Sequence, residues 1–165
     1  MGGANMARIY TVKLRPLIFS ILITLGVGLL SGFLVGNSYK VYMNLVKPPL
    51  SPPMAVFPVV WTILYIIMGI SAYLIYVADD HKKEKKEALK YYKLQLAMNF
   101  LWSFIFFKFN LYLLAFIWLV ALFIVVILMI KKFNEIDDTA SALLVPYALW
   151  LVFAGYLNLM IVLLN

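Results

Sequence analysis

Apolar runs of membrane length alternate with short polar connections along most of this chain. Leu17–Gly36, Met54–Ala78, Leu111–Ile130 and Thr139–Asn165 are uncharged throughout. Each is long enough as a helix to cross about 30 Å of hydrocarbon. A further segment is less obvious, because Leu94–Phe107 alone is too short. Ala88 to Asn110 reaches far enough if Lys90, Lys93 and Lys108 extend to the interfaces, as long basic side chains near helix ends do. Asn110 then marks a tight turn into the next run. The pattern predicts an all-α integral membrane protein, a single domain over 1–165. Its five transmembrane helices fall at about 14–36, 54–78, 88–109, 111–131 and 139–163.

The first connection, 37–53, differs from the others. Five of the seven prolines fall between positions 48 and 58. Proline fixes φ and withholds a donor, so Pro48-Pro49 and Pro52-Pro53 predict a stiff, non-helical approach to the second span. Pro58 falls in the first turn or so of that helix, where a missing N–H costs little. A plain anchor needs no such preparation, and the loop reads as a lid over a ligand site.

Three helices carry polar and aromatic residues at helical spacing. The second has Phe57, Trp61, Tyr65, Met68 and Ala72, and the third has Gln95, Asn99, Trp102 and Phe106. The fifth has Tyr147, Trp150, Ala154 and Asn158. Each set shares one face. An amide or phenol facing lipid lacks a partner, so these faces point inward. Large rings alternating with alanines leave a flat apolar slot suited to an aromatic ligand. In the first helix Gly28, Gly32 and Gly36 repeat a small-xxx-small spacing, read either as close packing within the chain or as a homodimer face.

The chain is 65% apolar, beyond the usual soluble range, with mean hydropathy +0.98. Its net charge of +7 would suit a nucleic-acid partner, but the basic residues lie between apolar runs, where topology explains them. Arg8, Lys13 and Arg15, the lysines from Lys82 to Lys93, and Lys131 and Lys132 share one side; Lys40, Lys47 and Lys108 take the other. In a bacterial inner (plasma) membrane this puts the N-terminus in the cytoplasm and the C-terminus and proline loop outside. The Gly2 context lacks the Ser or Thr needed for myristoylation, and residues 1–5 read as an addition ahead of a natural start at Met6.

The missing residues narrow the chemistry. Cysteine is absent, the single histidine is His81 in a charged connection, and no Asp or Glu lies within an apolar core. That argues against a metal site, a cofactor ligated by the protein, acyl chemistry and proton-coupled transport. A metal-free porphyrin suits these residues better than a ligated haem.

Four stretches together, KPPLSPP with Phe57, PVVWTILY at 58–65, QLAMNFLWSFIFF at 95–107 and PYALWLVFAGYLN at 146–158, resemble the TspO/MBR family. They occur in the right order and cover helices two, three and five. The resemblance implies a five-helix bundle, usually dimeric, whose first loop covers a pocket for porphyrins and synthetic aromatic ligands. Carried over by position, it implies that Trp61, Asn99, Trp102, Trp150 and Ala154 line the pocket, with Phe57, Tyr65 and Tyr147 as neighbours. It further implies that Trp61 and Trp150 match tryptophans tied to light-dependent protoporphyrin breakdown in some bacterial members. The loop departs from the family in having Tyr42, Leu50 and Ala55 where further aromatics are common. Tyr156 is followed by LNLMIVLLN, without the basic residue of the sterol pattern.

The leading expectation is a receptor or carrier binding a tetrapyrrole between helices two, three and five, with Lys40 and Lys47 facing the ligand's carboxylates. The alternatives are a light-dependent porphyrin-degrading enzyme and a dimeric regulatory scaffold without transport.

Overall fold

The structure is a computed structural model describing residues 12–36, 38–78 and 82–165, with Lys82 described by its main chain only. The expectations for residues 1–5, Met6 and His81 lie outside the described residues. Helices dominate: α1 (Leu14–Val35), α2 (Ser38–Asn44), α3 (Val56–Val77), α4 (Lys82–Ser103), α5 (Tyr112–Asn134), α6 (Asp138–Ala142) and α7 (Val145–Leu164). Among the described residues, α1, α3, α5 and the Asp138–Leu164 segment are long and apolar enough to cross a membrane. On α5 the exposed Leu113, Ile117, Val120, Ile124 and Leu128 recur at helical spacing and form an unbroken apolar outer stripe.

α1 and α3 meet main chain to main chain at Gly69. A Cβ there would lie 2.7 Å from Ile21 Cα, and Ser20 Oγ donates to the Gly69 carbonyl at 2.7 Å. The glycine repeat of α1 behaves otherwise. Gly28 faces the Tyr65 ring, while a Cβ added at Gly32 or Gly36 would meet nothing within 4 Å. Of the repeat, Gly28 therefore packs closely within the chain, Gly32 does not, and Gly36 ends the helix at φ +70, a conformation glycine adopts freely; the main-chain approach is made by Gly69.

Buried polar groups join the remaining helices. Tyr92 and Thr24 hydroxyls lie 2.6 Å apart between α4 and α1, and Trp118 Nε1 on α5 donates to the Met98 carbonyl at 2.8 Å. Ser71 Oγ donates to the Ala140 carbonyl at 2.6 Å, tying α3 to α6.

Several boundaries differ from expectation for identifiable reasons. α4 begins at Lys82 rather than near 88, since Lys and Glu are good helix formers even where no apolar period exists. It ends in a π-helical turn, Phe104–Lys108, and Asn110 supplies the turn at φ 56. The last segment is divided. Asp137 caps α6 by accepting from the Ala140 N–H at 2.8 Å, and α7 restarts with proline in its first turn. The first connection contains α2, so only its 45–55 part is the non-helical stretch expected from the prolines.

Candidate ligand site

One large cavity, about 420 Å³, lies beneath the first connection. α3 contributes Phe57, Trp61 and Tyr65, α4 contributes Asn99 and Trp102, and α7 contributes Trp150, Ala154 and Asn158. These are three- and four-residue steps, so each helix offers one stripe. α1 forms a further wall through Leu25, Gly28, Leu29, Ser31, Gly32 and Phe33, and Tyr42 of α2 with Phe106 and Phe107 of the π-helical turn add to the lining. Periodicity gives no sign of that wall. The apolar residues of α1 are hard to assign to a face from sequence, because they surround the helix.

Tyr147 stands apart from the other expected site residues. It is absent from the lining and fully buried behind it. There it closes a directed chain of hydrogen bonds. Tyr65 OH donates to Asn99 Oδ1 at 3.2 Å, and Asn99 Nδ2 donates to the Tyr147 hydroxyl at 3.0 Å. Tyr147 OH donates to Gln95 Oε1 at 2.9 Å, and Gln95 Nε2 reaches Met68 Sδ at 3.6 Å. Each of these groups finds an acceptor for its proton, so the network is satisfied without a ligand and holds Asn99 and Tyr65 in place.

Aromatic rings bridge the cavity between α3 and α7. Trp150 stands 6.5 Å from Trp61 and 6.1 Å from Phe57, both edge-on, and Trp61 lies 5.5 Å from Tyr65. Such edge contacts are favourable beyond the area they bury.

Among the described residues, three buried side-chain polar atoms lack a partner: Trp102 Nε1, Trp150 Nε1 and Asn158 Oδ1. All three belong to residues lining this cavity. Asn158 is held by its other atom, since Nδ2 donates to the Tyr112 carbonyl at 2.9 Å. Reversing the amide would set two acceptors against each other, so the unpartnered atom is the oxygen.

The connection above is fastened at several points. Tyr42 OH donates to the Pro52 carbonyl at 2.8 Å, and the Tyr42 ring meets Phe57 at 5.4 Å. Tyr156 OH donates to the Pro49 carbonyl at 2.9 Å. Asn165 clamps the Val46 main chain, accepting from its N–H at 2.9 Å and donating to its carbonyl at 3.2 Å. Neither Lys40 nor Lys47 lines the cavity; Lys47 Nζ lies over the Tyr42 ring, 5.3 Å from its centre.

The profile of the TspO/MBR family matches residues 20–164. The chain is 36% identical over 155 residues to the tryptophan-rich protein TspO of Archaeoglobus fulgidus, covering 93% of this chain and 99% of that one. It is 39% identical over 124 residues to the tryptophan-rich protein TspO of Chlorobaculum tepidum, covering 75% and 78%. It is also 32% identical over 141 residues to the translocator protein of Bos taurus, covering 85% and 83%. The chain belongs to the TspO/MBR family. With its apolar helices, membership makes this TspO/MBR chain a multi-pass membrane protein. The lining residues of α1 were not expected from the sequence. Asn158 continues the α7 stripe, but its unsatisfied oxygen is a matter of packing.

Proposed function

We propose that this protein binds a porphyrin-type tetrapyrrole, or a comparable flat aromatic molecule, in the cavity between α1, α3, α4 and α7, as a receptor or carrier. The observation that carries this reading is the set of three unpartnered buried polar atoms on residues of one aromatic-lined cavity. A buried donor or acceptor without a partner costs about 1–3 kcal/mol, so native structures keep few of them. Two indole N–H groups suit carboxylate or carbonyl oxygens on a ligand, and the Asn158 oxygen suits an N–H or O–H. Trp150 and Asn158 are two α-helical steps apart on α7, about 12 Å along its axis. A ligand engaging both is longer than a single aromatic ring. The volume, about 420 Å³, falls within the range of small-molecule sites.

The membrane arrangement belongs to the same proposal. α4 with its π-helical turn is a fifth span, its basic first half reaching the cytoplasmic interface of a bacterial inner membrane and the first connection facing outward. The distribution of lysines and arginines supports this orientation. A homodimer is proposed from family membership.

Filling the cavity tests the reading. Ala154 is half-buried on the α7 wall between Trp150 and Asn158. Ala154→Phe is expected to weaken protoporphyrin binding by at least about tenfold, or about 1.4 kcal/mol, measured by titration in the dark. The thermal midpoint of the unliganded protein should change little, because the ring enters empty space. Unchanged affinity in a folded Ala154→Phe protein would place the ligand elsewhere.

A further inference from the structure

We propose that ligands reach the cavity sideways from the bilayer, through the seam between α1 and α3, rather than through the proline-rich connection. This rests on reading the cavity as the ligand site. Most of the lining is buried or half-buried, and the exposed lining residues include Leu29, Phe33 and Thr62. These lie on α1 and α3. Leu29 and Phe33 are 73% and 82% exposed while still forming cavity wall, so the cavity reaches the outer surface there.

The helix geometry explains the opening. α1 and α3 are pinned together at Ile21 and Gly69, where backbone meets backbone. Further along, the nearest atoms to a Cβ at Gly28 would be those of the Tyr65 ring, a side chain, and Gly32 faces open space. Two helices in contact at one end and separated at the other leave a wedge-shaped gap. The absence of a side chain at Gly32 keeps it clear.

The rim chemistry favours an apolar traveller. Leu29, Phe33 and Pro58 carry no polar side-chain atom, and Thr62 Oγ1 already donates to the Pro58 carbonyl at 2.8 Å. No side-chain polar group among these rim residues must be stripped of water or left unpaired as an aromatic molecule passes from lipid. The route from above would instead require breaking the Tyr42–Pro52, Tyr156–Pro49 and Asn165–Val46 hydrogen bonds. The lateral route therefore suits aromatic molecules that partition into the membrane.

The chain lacks cysteine, so a single introduced thiol can be modified alone. Phe33→Cys would be labelled in detergent with a benzyl methanethiosulfonate, reconstituted into phosphatidylcholine vesicles and mixed rapidly with protoporphyrin in the dark. Val46→Cys, at an exposed position of the upper connection, would be treated identically. The labelled Phe33→Cys protein is expected to associate at least about tenfold more slowly than the same protein after reduction. Dissociation should slow as well, because a plug obstructs the path in both directions; an unchanged association rate with faster dissociation would mark only a lost wall contact and would overturn the route. Labelled Val46→Cys should associate at its reduced rate. Slowing at Val46 and not at Phe33, or at neither, would overturn the lateral route while leaving the cavity site intact. Absence of saturable binding in any of these proteins would overturn the site reading and this inference with it.

Discussion

Gly69→Val is expected to be the most damaging single substitution in the helix bundle, lowering stability by about 3 kcal/mol. A Cβ at this position would lie 2.7 Å from Ile21 Cα and 3.1 Å from Ile21 N, so the obstruction is main chain and cannot rotate away. α1 would have to move outward. That also stretches the 2.7 Å bond from Ser20 Oγ to the Gly69 carbonyl and the 2.6 Å contact between Thr24 and Tyr92. Gly32→Ala is the matched control. It adds a methyl where nothing lies within 4 Å and gains helix propensity, so its stability should stay level or rise by up to about 1 kcal/mol. Unfolding midpoints of the two variants in one detergent provide the comparison. Equal midpoints would contradict the account of how α1 and α3 are joined.

Asn99→Leu is expected to cost about 2 kcal/mol of stability and to weaken protoporphyrin binding by about tenfold. The substitution nearly preserves volume but removes the middle of the Tyr65–Asn99–Tyr147–Gln95 chain. Tyr65 OH is left as a buried donor without an acceptor, and Tyr147 loses its incoming bond. In a membrane the unfolded reference also finds partners, so the cost stays below the top of the range for buried groups. Binding suffers because Tyr65 shares the cavity wall with Trp61, 5.5 Å away, and a released phenol no longer keeps that wall flat. Adding Tyr65→Phe to Asn99→Leu should recover part of the stability, since it removes the stranded hydroxyl. A double-mutant cycle on thermal midpoints would detect that coupling, and strict additivity would argue against a cooperative chain.

Much of the wall was legible because helical periodicity survives in the sequence. Phe57, Trp61 and Tyr65, then Asn99 and Trp102, then Trp150 and Ala154 recur at three- and four-residue steps, and the structure brings them around one cavity. What periodicity cannot reveal is depth along the inward direction. Tyr147 is on the α7 inner side yet buried behind the wall, because Asn99 and Gln95 draw its hydroxyl away from the cavity. α1 was hidden for another reason. A helix apolar on every side offers no contrast between lipid and protein, so its glycines read equally as internal packing or as a dimer face, and nothing in their spacing shows that Gly32 borders the cavity. Gly69 lacks a small-xxx-small partner in its own helix, and only the position of Ile21 on α1 makes it indispensable. The division at 143–144 depends on Asp137 capping a helix too short to show a period.

The proposed site makes the three unpartnered groups, which belong to residues lining the cavity, the polar contacts of a bound tetrapyrrole. Its most direct measurement is a dark titration of the purified protein with protoporphyrin, following tryptophan quenching and the porphyrin spectrum. Wild-type would be compared with Trp102→Phe, Trp150→Phe and Asn158→Leu. Saturable binding at micromolar concentration or tighter is expected, weakened in each variant by about 1–2 kcal/mol, with thermal stability kept in the two tryptophan variants and lowered in Asn158→Leu, which also loses the bond to the Tyr112 carbonyl. Saturable binding with the same affinity in all four proteins would contradict this reading.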